Sequence, residues 1–181
     1  MANSGPRRYE IRLAGTGGQG AILAGIVLAD AAIRDGKNAV QTQSYGPEAR
    51  GGASRSEVVI SAGEIDYPKV LEPDITLCMS QEACDRYSTQ RRENGLLILD
   101  TDHVSRAPTT RAARIPLTSL AREVTGRAIT ANVVALGVLA GLTSIVSRES
   151  LEQAVKARTP EGTREMNLKA LAAGYEAAQE I

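Results

Sequence analysis

The strongest constraint in this sequence is a run of glycines placed where a strand must hand over to a helix. Gly15-Thr16-Gly17-Gly18-Gln19-Gly20 follows the apolar stretch Tyr9–Ala14 and precedes Ala21–Arg34. In that second stretch Ile22, Leu23, Ile26, Val27 and Ala31 recur at helical spacing, and Gly36 is placed to end the helix. Ala39–Ser44 then reads as a second strand. Strand, glycine turn, helix and strand together predict a right-handed, parallel βαβ opening.

Gly15, Gly17 and Gly20 match the spacing G-x-G-x-x-G. Such a turn brings backbone N–H groups toward an anion, with the positive end of a helix behind them. A nicotinamide site usually adds Asp or Glu at the end of the second strand, to hold the ribose. Here that strand ends Gln41-Thr42-Gln43-Ser44-Tyr45, and the first carboxylate is Glu48. The turn therefore predicts a phosphate or pyrophosphate site and weakens a self-contained dinucleotide site. Plain packing of helix on strand is the competing reading of the same glycines.

Tyr45–Ser54 is a loop by its Gly and Pro content, and it presents Glu48 and Arg50 on a constrained path. In a doubly wound sheet this loop leaves the carboxyl edge, where ligands sit. Arg50 and Arg55 carry a fork suited to phosphate or carboxylate; surface pairing of Arg50 with Glu48 and of Arg55 with Glu57 is the plainer reading. Beyond the loop, Arg55–Ser61, Asp74–Met79 and Gly95–Asp100 read as strands, and Thr110–Ile115 as an edge strand. Gln81–Arg92 reads as a polar helix, and Thr118–Thr125, capped by Thr118 or Ser119, as a short one. Asn132–Leu142 and Gly162–Gln179 complete a helical last third, with Ser147 as a further cap. The expected architecture is α/β: one Rossmann-like doubly wound domain over residues 1–181, with a mostly parallel sheet, flanking helices and a flexible lead at 1–6.

Several chemistries find no support. Lys plus Arg and Asp plus Glu number 21 each, so no net charge draws this chain to nucleic acid or to an anionic membrane. Apolar stretches break well before bilayer length. Cys78 and Cys84 cannot build a disulfide framework and lack partners for a metal site, which points to a reducing cytoplasm. His103, the one histidine, lies in a polar loop and reads as a solvated residue. The chain offers a binding loop and no catalytic residue of its own.

The runs Gly15–Gly20, Gln43–Gly52 and Ser54-Arg55-Ser56-Glu57-Val58 together resemble the gamma subunit of 2-oxoacid:ferredoxin oxidoreductases. The pyruvate, 2-oxoglutarate, branched-chain 2-oxoacid, indolepyruvate and phenylglyoxylate enzymes belong to that family. Asp74–Ser80, Asn132–Leu142 and Asn167–Ala177 extend the similarity over nearly the whole chain. The resemblance implies oxidative decarboxylation of a 2-oxoacid with coenzyme A, giving acyl-CoA, carbon dioxide and reduced ferredoxin, or NADH through an additional FAD-bearing subunit. It implies that thiamine diphosphate, Mg²⁺ and [4Fe–4S] clusters reside in thiamine-binding alpha and beta subunits and a ferredoxin-like delta subunit. It further implies that Gly15, Gly17, Gly18, Gln19 and Gly20 form the anion-facing turn. Ser44, Tyr45, Glu48 and Arg50 would line the approach to a shared CoA site, and Asn132 would face the same edge. Lys37 and Arg55 are weaker candidates for a CoA phosphate. An independent nicotinamide or flavin enzyme and a non-enzymatic nucleotide-binding scaffold stand as alternatives.

Overall fold

A computed structural model describes residues 7–44, 53–109 and 111–181. Six strands form one sheet: β1 (Arg8–Thr16), β2 (Asn38–Ser44), β3 (Ala53–Ser61), β4 (Ile75–Cys78), β5 (Leu96–Asp100) and β6 (Ala113–Ile115). Their spatial order is β2-β3-β1-β4-β5-β6. The helices are α1 (Ala21–Arg34), α2 (Gln81–Tyr87), α3 (Leu117–Thr125), α4 (Ala131–Thr143), α5 (Arg148–Arg158) and α6 (Arg164–Ala178). The expected mixed α/β architecture and helical last third are both present.

The opening differs from the expected βαβ unit in one respect. β1 and β2 run in the same direction, but β3 lies between them, antiparallel to both. β3 pairs with β2 so that Ser44 lies opposite Arg55 and Asn38 opposite Ser61. The same strand pairs Thr16 with Ala53 and Arg8 with Ser61. The alternation in Arg55–Ser61 now has its reason, because an antiparallel strand separates its two faces cleanly. β4, β5 and β6 follow β1 in parallel register.

Packing on the two faces is unequal. Ile11, Leu13, Val58, Ile60, Leu77 and Ile98 enter a large cluster with apolar faces of α1, α3, α4, α5 and α6. The other face holds a smaller cluster built on Ala14, Ala53, Cys78, Ala83, Cys84 and Tyr87. α4 is buried nearly all round, as its unbroken apolar sequence requires. It crosses α6 at a glycine pair. A Cβ on Gly137 would lie 2.9 Å from Gly174 Cα and 3.0 Å from Tyr175 N, so the backbones touch only because both residues lack one.

Three further boundaries move. The expected helix Gln81–Arg92 stops at Tyr87, because Arg91 folds back to donate to the carbonyls of Gly95 and Ser88 and closes a turn. The edge strand shrinks to Ala113–Ile115; Thr110 and the lead at 1–6 lie outside the described residues. The last helix begins at Arg164 after a 3₁₀ turn over Glu161–Thr163. No described helix is long and apolar enough to cross a membrane.

Candidate functional site: the carboxyl edge of the sheet

The glycine turn is built by reciprocal hydrogen bonds. Gln19 accepts from Thr16 N with its Oε1 at 2.7 Å and donates its Nε2 to Met79 O at 2.8 Å. The side chain expected to face an anion thus closes the turn and ties it to the end of β4. A Cβ on Gly15 would sit 2.6 Å from Gln19 Oε1, so the first glycine admits that amide. Gly20 ends the turn at φ 78°, in the left-handed region, and starts α1. Its carbonyl accepts from Ala24 N at 3.0 Å and from Asn132 Nδ2 at 3.2 Å. Asn132, buried at the start of α4, packs where a side chain on Gly20 would need to be. Gly17 and Gly18 cap the turn, and the N–H groups of Ala21, Ile22 and Leu23 open toward the same edge without intrahelical partners.

Neighbouring strands deliver the rest of the edge. Ser44 and Ala53, the anchors of the Tyr45–Gly52 segment, lie beside Ala14 and Thr16 through the β3 register. Ala53 N donates to Glu82 Oε1 at 3.2 Å, which fixes the re-entry point to α2. Tyr45, Glu48 and Arg50 themselves lie outside the described residues. Structure therefore brings together the glycine turn and Asn132, sets Arg55 in register between Ala14 and Ser44, and leaves Lys37 apart. Lys37 is at the opposite, amino edge, where its Nζ donates to Ile145 O and lies 3.5 Å from Asp35. Arg55 is on the α2 face, 5.4 Å over the Tyr87 ring and 3.7 Å from Glu57.

A cleft of about 190 Å³ opens against the glycine turn. Gly18, Gln19 and Met79 form one wall; Asp100 and His103 come from the end of β5, Thr118 and Arg122 from α3, and Ile129 from the turn before α4. Ligands of open α/β sheets occupy such positions, where chain connections diverge from adjacent strands. α1 leads from β1 toward β2, while α2 leads from β4 toward β5.

Asp100 is fully buried, and its carboxylate is taken up by Thr118 Oγ1 at 2.6 Å and by the N–H groups of Asp102 and Thr118. Asp102 accepts from Ser119 N at 2.6 Å and Ser119 Oγ at 2.7 Å. Thr118 and Ser119 thus do not cap α3 as expected; the two aspartates cap it through them. Burial opposes charge on Asp102, but the Ser119 bonds outweigh it and hold this carboxyl below its ordinary range. His103 and Arg122 have no ion-pair partner among the described residues, and both side chains are exposed on the cleft. Arg122, exposed on the same cleft as Gly18 and Gln19, carries a fork that can hold an anion. Among the described residues no group of three or more His, Cys, Asp or Glu could bind a metal ion.

Sequence reasoning missed Arg122 and Ile129 and treated His103 as bland. Their convergence depends on where α3 lands, and no local motif encodes that.

Sheet order and helix placement put the chain among Rossmann-like α/β domains. It belongs to the pyruvate ferredoxin/flavodoxin oxidoreductase family, whose model matches residues 10–177, and it is a gamma-type subunit of a 2-oxoacid:ferredoxin oxidoreductase. It is 53% identical, over 96% of both chains, to the 2-oxoglutarate synthase subunit KorC of Methanocaldococcus jannaschii. It superposes on the keto/oxoacid ferredoxin oxidoreductase gamma subunit of Geobacter sulfurreducens with TM-score 0.87 and 48% identity, covering 96% of this chain and 98% of that one. The 2-oxoglutarate:ferredoxin oxidoreductase of Magnetococcus marinus shares the fold at TM-score 0.86 and 23% identity, over 97% of this chain and 32% of that one.

Proposed function

We propose that this subunit forms the CoA-facing wall of an active site that partner subunits complete. The N–H groups at Gly18 and the first turn of α1, with Arg122 and His103, meet a phosphate of coenzyme A. Ile129 and Met79 offer apolar contact beside it. Ser44 and the Tyr45–Gly52 segment, with Glu48 and Arg50, line the approach. The observation that carries this reading is that Arg122 and His103 line the same cleft as Gly18 and Gln19 of the glycine turn.

Thiamine diphosphate with Mg²⁺, which would supply the decarboxylation chemistry, and the [4Fe–4S] clusters are assigned to alpha, beta and delta partners, as membership of the family supports. The task left to this chain is to hold and orient the thiol donor that accepts the acyl group. Its similarity to a 2-oxoglutarate synthase subunit supports 2-oxoglutarate as the acid, and its likeness to a ferredoxin oxidoreductase subunit supports ferredoxin as acceptor. The working assembly is a cytoplasmic hetero-oligomer in which residues 1–181 act as one unit.

Reconstitution tests this division of labour. The purified chain alone should not oxidise 2-oxoglutarate in the presence of CoA and a viologen acceptor. Mixing with the thiamine- and cluster-bearing subunits should restore CoA-dependent reduction. Turnover by the isolated chain would refute the proposal.

A further inference from the structure

The sheet has two lateral edges, and they are guarded unequally. β6 is three residues long, carries the exposed Arg114 at its centre and is followed by Pro116. Short length, charge and proline are devices by which edge strands avoid joining other chains. Symmetric pairing of β6 with its own copy would also set Arg114 against its counterpart. β2, at the other end of the strand order, has seven residues, Asn38–Ser44, with no charge and no proline. It pairs with β3 residue for residue, without a bulge.

The register fixes which backbone groups of β2 look outward. Met79 N donates to Ala14 O at 2.9 Å, so even-numbered residues of β1 address β4 and odd-numbered ones address β3. Even-numbered residues of β3 therefore serve β1, and its odd-numbered ones serve β2 opposite Asn38, Val40, Thr42 and Ser44. The N–H and C=O groups of Ala39, Gln41 and Gln43 are left on the open side, with no hydrogen-bond partner among the described residues. Beside them runs a bare stripe of α1, the helix that covers β2 and β3. Gly25 sits against Ser56 and Val58 of β3, and Asp30 and Arg34 reach Arg158 and Gln153 of α5. Ala24, Leu28 and Ala31 enter the core. Ile22, Ile26 and Ile33 share the remaining flank, opposite the core and toward β2. None of the three belongs to the core cluster, and Ile33 is 58% exposed.

We propose that this edge is an interaction surface for a second copy of the chain, the two β2 strands pairing antiparallel about a two-fold axis at Gln41. That register sets Ala39 opposite Gln43 of the other copy, so the outward N–H and C=O groups satisfy one another. Val40 faces Thr42, a β-branched cross-strand pair, and no charge meets a like charge. The two-fold places both α1 helices on one face of a continuous sheet, where their isoleucine flanks approach. A lone extended segment would satisfy the strand and leave those isoleucines bare; a second copy brings its own helix with its strand. The cleft at the ends of β1, β4 and β5 stays open, and the pairing does not depend on what that cleft binds.

Sedimentation equilibrium of the full chain at micromolar concentration should give twice the chain mass of 19.1 kDa. Gln43→Pro removes an outward N–H and no bond to β3, so it should preserve the circular dichroism while raising the dimer dissociation constant about tenfold or more. Ile33→Lys should raise it as well. In the wild type, NMR hydrogen exchange should show the Ala39, Gln41 and Gln43 amides losing protection on dilution, while Val40 and Thr42 keep theirs; this readout stands even if a variant fails to fold. A monomer at every concentration, or a dimer whose outward amides exchange as fast as in the dilute chain, would overturn the proposal. Protection of those amides only after alpha, beta or delta subunits are added would overturn it too, and assign the edge to one of them.

Discussion

The two ends of the sheet carry depressions of different size and different charge commitment. At the amino edge about 550 Å³ opens among Asp35, Lys37, Ser147, Arg148 and Tyr175. Its charges are committed: Lys37 to Ile145 O and Asp35, Arg148 to Glu152 and the Tyr175 ring. At the carboxyl edge the cleft is about 190 Å³, yet Arg122 and His103 line it together with Gly18 and Gln19, without ion-pair partners among the described residues. Volume reports where helices fail to meet.

Glycines sharpen the contrast most. Gly36 at the amino edge and Gly20 at the carboxyl edge have similar φ, 74° and 78°. An alanine at Gly36 meets nothing within 4 Å, so Gly36→Ala should cost only the left-handed strain, about 1–2 kcal/mol. At Gly20 the new Cβ also collides with Asn132, adding roughly 1–3 kcal/mol of overpacking and distorting the cleft. Urea unfolding and activity of the reconstituted enzyme check the pair; equal losses would mean that the Asn132 contact is unimportant.

Asn132→Asp tests the same contact more gently. It sets a carboxylate against the Gly20 carbonyl and beside the start of α1, so CoA-dependent activity should fall about tenfold. Unchanged activity would separate Asn132 from the site.

The smallest effect should be shared by both ends, because each uses one device. Asp35 takes Ser147 N and Oγ at 2.7 and 2.6 Å, as Asp102 takes those of Ser119. At Asp35 burial again opposes the charge and the serine bonds outweigh it, leaving the pKa below the ordinary 3.8. A carboxylate with a depressed folded-state pKa stabilises the fold above its ordinary value, and that contribution is lost as pH falls through the depressed value. Asp35→Asn and Asp102→Asn should each cost about 1 kcal/mol at neutral pH and flatten the loss of stability below 3.8. Denaturant midpoints measured across acid pH would show it.

What the sequence made legible follows from what is local. β1, the glycine turn, α1 and α4 are coded by apolar periodicity and by glycines, and they appear within a residue or two of expectation. The insertion of β3 between β2 and β1 is not local: alternation in Arg55–Ser61 showed a half-exposed strand without naming its neighbours. α2 ended early because Arg91 satisfies turn carbonyls. Lys37 and Arg55 were chosen for their charge; the fold sets Lys37 at the amino edge and Arg55 in register with Ala14 and Ser44 at the carboxyl edge. Arg122 could not be chosen at all, since only the placement of α3 over β5 aims it at the turn.

The most direct test compares two cations, one at each end of the sheet. In the reconstituted complex, KM for CoA should be measured with Arg122→Ala and with Lys37→Ala. Removing a charge-assisted phosphate contact costs about 1.5–3 kcal/mol, so Arg122→Ala should raise KM roughly ten- to a hundredfold while Lys37→Ala leaves it within about twofold of wild type. An unchanged KM for Arg122→Ala, or an equal rise for Lys37→Ala, would contradict the assignment of the carboxyl edge as the CoA-facing wall.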